Sequence, residues 1–152
     1  MKSNKIDFEN SLGPWMGKTV KITEYHLHKA FKEQELDLTK EQMIVLKKLH
    51  DKDGLNQNEL AFLVLRDKSS LARLLRKMEQ KNYISRVQCK EDKRCNKVFL
   101  TDLGKDVFAK TKPIIKQIIQ TIEKGISPEE KQTIITILKK IQSNFGEQSE
   151  TL

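Results

Sequence analysis

Along this chain apolar residues return every three or four positions through six segments, and in one short stretch they alternate instead. Residues 11–35 read as a long helix carrying Trp15, Val20, Ile22, Leu27, Ala30 and Phe31, its start blurred by Gly13, Pro14 and Gly17. A second helix starts cleanly at Thr39, with Gln42 placed to close a capping box. Met43, Val45, Leu46 and Leu49 give it a buried stripe, and Asp53-Gly54 end it. Asn56 and Glu59 cap a short helix over 57–64, with Leu60, Ala61 and Val64 facing inward. Residues 68–81 follow as a helix with Leu71, Leu74, Leu75 and Met78 on one side. Asn82 is placed to close it in a left-handed conformation. Two strands are predicted over 83–88 and 97–100, joined by a charged loop. Thr101 opens a helix over 102–124 that contains Pro113, a residue that kinks or redirects a helix. Ser127-Pro128-Glu129-Glu130 then starts a final helix lined by Ile134, Ile135, Ile137, Leu138, Ile141 and Phe145.

This order predicts a mainly α (α+β) fold: a winged helix-turn-helix with a small β-hairpin wing and flanking dimerisation helices. We assign residues 37–101 to the winged helix-turn-helix and residues 11–36 and 102–146 to a helical dimerisation region. Together they form one subunit of 152 residues, with 1–10 and 147–152 disordered. The outer helices carry more Ile-rich surface than one small module can bury, so a second copy of the chain is the expected cover.

Charge sharpens the picture. Between Arg66 and Lys97 eleven residues are basic and four acidic, a surplus of +7 that accounts for nearly all of the formal +8 of the chain. A charge excess gathered in one supersecondary unit is the footprint of a nucleic-acid-binding surface. On the 68–81 helix, Ser69, Ser70, Arg73 and Arg76 lie opposite or flanking the apolar side and are the candidates for base edges, with Lys68 and Lys77 beside them. In the hairpin, Arg86, Lys90, Lys93 and Arg94 supply further cations. Asp92 repels phosphate, so its expected role is to orient Arg86 or Arg94. Two such modules related by a two-fold axis would reach successive major grooves, roughly 34–36 Å apart.

Other chemistries find little support. No apolar run reaches the roughly 20 residues of a membrane span, and the N-terminus lacks the core of a secretory signal, which places the protein in the cytoplasm without a membrane partner. Three scattered histidines and two cysteines show no zinc spacing, and no Gly-rich phosphate loop or nucleophile–base pair stands out. We therefore expect no enzyme activity, metal or cofactor. Cys89 and Cys95 are too few for a disulfide scaffold and are expected as thiols. They bracket the wing, which leaves two readings: an oxidation-sensitive pair, with thiolates favoured by Lys90, Lys93 and Arg94, that alters DNA affinity, or two small reduced residues on an exposed loop.

The string Ile84-Ser85-Arg86, then Asp92-Lys93-Arg94, then Thr101-Asp102-Leu103-Gly104 resembles the wing signature of the multiple-antibiotic-resistance regulator (MarR) family. Glu59-Leu60-Ala61 and Asp67-Lys68-Ser69-Ser70 resemble that family's two DNA-reading helices. The resemblance implies a homodimer joined through the first and last two helices. It implies binding to a pseudo-palindromic double-stranded DNA operator, repression, and release by a small aromatic effector. It also makes Arg94 the minor-groove arginine and Asp92 its acidic partner. Lys93, Asn82 and Leu65 depart from the family pattern, and Lys93 gives up bidentate geometry. Trp15, Tyr25, His26 and Phe31 are candidates for lining an effector pocket between the first two helices and the long helix. The rival reading is a winged-helix interaction module that binds an acidic protein or RNA without operator specificity.

Overall fold

In the computed structural model, which describes residues 4–64, 67–92 and 94–146, the chain runs α1 (Leu12–Glu33), α2 (Lys40–Asp51), β1 (Leu55–Asn56), α3 (Gln57–Val64), α4 (Lys68–Gln80), β2 (Ile84–Gln88), β3 (Asn96–Leu100), α5 (Asp102–Ile122) and α6 (Pro128–Asn144). Local capping chemistry fixes most helix starts. Thr39 and Gln42 form a complete capping box on α2, and Ser127 and Glu130 form another on α6. Asn56 accepts from the Glu59 N–H at 2.8 Å at the start of α3. Asn82, at φ 63°, turns the chain out of α4 in the left-handed region expected of it. Pro113 does not end α5, which continues to Ile122.

The sheet is antiparallel, in the order β1-β3-β2, with Ile84 opposite Leu100 and Gln88 opposite Asn96. The first strand was not expected. Leu55 and Asn56 pair with Val98 and Lys97, and the Gly54 N–H donates to the Val98 carbonyl at 3.0 Å. A two-residue strand carries no alternation to detect.

The chain divides into two compact units, one up to Lys116 and one from Gln117, with the boundary inside α5. In the first unit Val45, Leu46 and Leu49 of α2, Leu60 of α3, Leu75 and Met78 of α4 and Val98 of β3 are fully buried. Each such side chain contributes about 1.5–3 kcal/mol of transfer free energy. Helix α1 and α5 up to Lys116 fall in the first unit, where α1 buries Leu27 and Phe31 and α5 buries Val107 and Phe108. In the second unit, Lys131 pairs with Glu123 at 3.3 Å, and α6 buries none of its side chains. Ile134, Ile135, Ile137 and Leu138 are all exposed.

The first ten residues are not uniformly loose. The Asp7 carboxylate accepts from both the backbone and side-chain amides of Asn10, and the Trp15 indole donates to the Glu9 carbonyl, so a turn leads into α1. The 147–152 tail lies outside the described residues. Among the described residues, six helices, including the α3–α4 pair, and a β2–β3 hairpin confirm the mainly α winged helix-turn-helix.

Candidate nucleic-acid interface

Helix α4 is held by one face and displays the other. Leu71, Leu75 and Met78 are buried, while Lys68, Ser69, Arg73, Arg76 and Lys77 are exposed. Arg73 and Arg76 form no ion pair with any described residue, which leaves both guanidinium groups available to an anion. Ser70 is half-buried and differently employed. Its N–H and its hydroxyl both donate to the Asp67 carboxylate at 2.8 Å, closing the N-terminus of α4. These bonds hold the Asp67 carboxyl below the usual carboxylate range. Asp67 thus does the capping work, and Ser69 is the serine left facing outward.

The C-terminal end of α4 is anchored twice. Lys81 donates to the Asp37 carboxylate at 2.9 Å, to the Asp37 carbonyl at 3.2 Å and to the Gln42 amide oxygen at 3.0 Å. The Tyr83 hydroxyl reaches the same Asp37 carbonyl at 2.8 Å. The second anchor is the wing itself. Arg86 on β2 grips Glu79 on α4 through two bonds, Nε to Oε2 at 3.1 Å and Nη2 to Oε1 at 3.0 Å. A planar guanidinium on a carboxylate fixes orientation as well as distance.

Arg86 was expected among the DNA-facing cations, and Asp92 was expected to orient either Arg86 or Arg94. Arg86 pairs with Glu79 instead, and its side chain is only 24% exposed, so it braces the wing against α4. Asp92 does restrain Arg94, but through the backbone: its carboxylate accepts the Arg94 N–H at 2.9 Å. Lys90, Asp92 and Arg94 all lie exposed on the hairpin loop. Lys93, like Leu65 in the turn before α4, lies outside the described residues. Glu79 escaped the sequence reading, although a signal existed. An acid in the last turn of a basic helix opposes the helix dipole and calls for a dedicated partner.

The Arg86 bonds hold the Glu79 carboxyl below its ordinary value. The unfolded chain therefore takes up this proton more readily than the folded one. The contribution of the pair is complete above the ordinary glutamate range of about pH 4–5 and is lost as pH falls through the lowered folded value. Acid unfolding of the wild-type chain and of Glu79→Gln should therefore differ at neutral pH and converge only in strong acid. Curves that converge near pH 7 would contradict the brace.

The effector candidates do not come together. Phe31 is in the core at 1% exposure. Trp15, Tyr25 and His26 are exposed, and only Tyr25 and His26 line a shallow open groove, with Pro14, Gly17, Lys18, Lys21 and Ile22 of the same helix. Their rings meet edge to face at 5.2 Å. The cysteine expectation is overturned: Cys89 and Cys95 form a disulfide. The reason is register. Beyond the Gln88–Asn96 pair, the next facing positions are 89 and 95, with Cα atoms 5.3 Å apart. Among the described residues no His/Cys/Asp/Glu cluster could hold a metal, and no helix is long and apolar enough to cross a membrane.

A sequence profile of the MarR family matches residues 38–96. The chain is 32% identical over 108 residues to the HTH-type transcriptional regulator SarZ of Staphylococcus haemolyticus, covering 71% of this chain and 72% of that protein. Its fold is similar to that of S. aureus MepR solved in complex with DNA, with TM-score 0.79, 25% identity, and 91% and 99% of the two chains covered. It is also similar to the PcaV regulator of Streptomyces coelicolor, solved with its natural ligand, with TM-score 0.80, 18% identity, and 93% and 98% covered.

Proposed function

The chain belongs to the MarR family of transcriptional regulators, and from that premise we propose that it binds a pseudo-palindromic double-stranded DNA operator as a homodimer and represses transcription there. One observation carries the reading: α4 buries its apolar face and leaves Arg73 and Arg76 exposed, beside a hairpin whose loop exposes Lys90 and Arg94. Such a helix enters a major groove while the hairpin loop follows the backbone into the adjacent minor groove. MepR, whose fold is similar, was solved on DNA. Pairing of two copies is supported by α6, whose Ile134, Ile135, Ile137 and Leu138 are exposed in the single chain. A bound dimer represses by occupying promoter DNA. Release by a small aromatic effector belongs to the same reading. It rests on the open groove at Tyr25 and His26 and on the ligand in PcaV.

A salt titration on duplexes selected from a random pool tests the reading. Affinity should fall steeply with salt, since each neutralised phosphate releases counterions, and one palindrome should remain strongly preferred. Arg73→Ala should lose about 1–3 kcal/mol on that palindrome and relax its preference, whereas Lys90→Ala should weaken all duplexes alike. Indifference to sequence at physiological salt would favour the acidic-protein or RNA module instead.

A further inference from the structure

We propose that Cys89 and Cys95 are a reversible dithiol–disulfide site that sets the order of the DNA-facing wing loop, so that oxidation strengthens DNA binding; this rests on the DNA reading above. The pair closes the hairpin where its ladder runs out. Beyond Gln88–Asn96 the Cys89 N–H donates to the Cys95 carbonyl at 2.9 Å, and the Cys95 N–H donates to the Asp92 carbonyl at 3.0 Å. Both cysteines are half-exposed, so a small oxidant or reductant can reach them. The disulfide coexists with these backbone bonds and with the Asp92–Arg94 contact. Oxidation therefore holds a turn that the hairpin already forms.

Without the covalent bond, among the described residues, two backbone bonds and the Asp92 carboxylate hold a loop whose Lys90, Glu91, Asp92 and Arg94 are all exposed. Such a loop frays in water and must be reordered when DNA binds, a cost that a cross-link removes in advance. Lys90 and Arg94 flank the two cysteines directly, so the loop being ordered is the one that carries cationic side chains.

The chemistry balances with a hydroperoxide as oxidant. One cysteine sulfur attacks the peroxide, forming S–O and breaking O–O, and yields a sulfenic acid and an alcohol, or water from hydrogen peroxide. The second sulfur then attacks the first, forming S–S and breaking S–O, and the hydroxyl leaves as water with the remaining thiol proton. A dithiol reductant reverses the bond by exchange.

The full chain, reduced with dithiothreitol or oxidised with hydrogen peroxide and then freed of reagent, is titrated onto its selected duplex by fluorescence anisotropy. Thiol counting and non-reducing gels confirm an intrachain bond. We expect the oxidised form to bind about tenfold more tightly, in line with a few side chains ordered beforehand. Dithiothreitol should reverse the gain, and Cys89→Ser and Cys95→Ser should each abolish it. Equal or weaker binding after oxidation, or peroxide producing only interchain disulfides, overturns the proposal and leaves the DNA reading intact. Absence of DNA binding by both forms overturns both.

Discussion

Gly104→Ala should cost the fold about 3 kcal/mol or more, which places it at the severe end of single substitutions. An added Cβ would lie 2.0 Å from the Tyr83 carbonyl oxygen and 3.0 Å from its carbon. Neither atom can retreat cheaply. The Tyr83 carbonyl accepts the Thr101 N–H at 3.1 Å, the Thr101 hydroxyl donates to the Asn82 carbonyl at 2.6 Å, and the Thr101 hydroxyl oxygen in turn accepts the Gly104 N–H at 2.9 Å. The exit from α4 and the entrance to α5 are thus joined at one point where only hydrogen fits. Urea unfolding followed by circular dichroism should show a lower midpoint with an unchanged slope. Gly17→Ala supplies a control of opposite sign. It lies within α1 with nothing within 4 Å of the new methyl group, so the helix should gain about 0.5–1 kcal/mol. A loss below about 1 kcal/mol at Gly104 would mean that the joint is softer than its geometry implies.

Ile134→Glu combined with Leu138→Glu should separate the two copies and lower operator affinity by at least about a hundredfold. The two positions are four residues apart on α6 and so share a face, with exposures of 58% and 38% in the single chain. If that face stays wet, the changes are worth roughly ±0.5 kcal/mol each and little happens. If a second copy covers it, each carboxylate must be buried without a partner, at a cost of several kcal/mol. Losing the linkage also removes the effective concentration of the second reading module, which alone is worth about 10²–10⁴ in avidity. Sedimentation should show the mass halved while helical content holds. A variant that sediments and binds like the wild type would sink the dimer.

What the sequence disclosed was local chemistry. Thr39 with Gln42, Ser127 with Glu130 and Asn82 declare their turns within four residues, and the apolar side of α4 repeats along a single helix. The thresholds it missed are set by distant partners. β1 exists only because Val98 and Lys97 lie beside it, and Glu79 meets Arg86 only after the chain has reversed at Asn82. The disulfide was in principle readable, since pairing Ile84 with Leu100 already places Cys89 across from Cys95. It was hidden because register cannot be counted until one pair is known. The aromatic residues of α1 misled for a related reason. Residue type marks Phe31 and Tyr25 alike, and only packing sends one to the interior and leaves the other in water.

The Lys81 ammonium holds Asp37 and Gln42 at once, groups 44 and 39 residues earlier in the chain. Helix α4, the proposed reading helix, is therefore tied through Asp37 to the connector that follows α1 and through Gln42 to α2. It cannot roll about its own axis without straining that connector or giving up three charge-assisted bonds. A bend of the chain at Asp37 would therefore pull on the end of α4 through both Lys81 and Tyr83, and with it on the helix that carries Arg73 and Arg76.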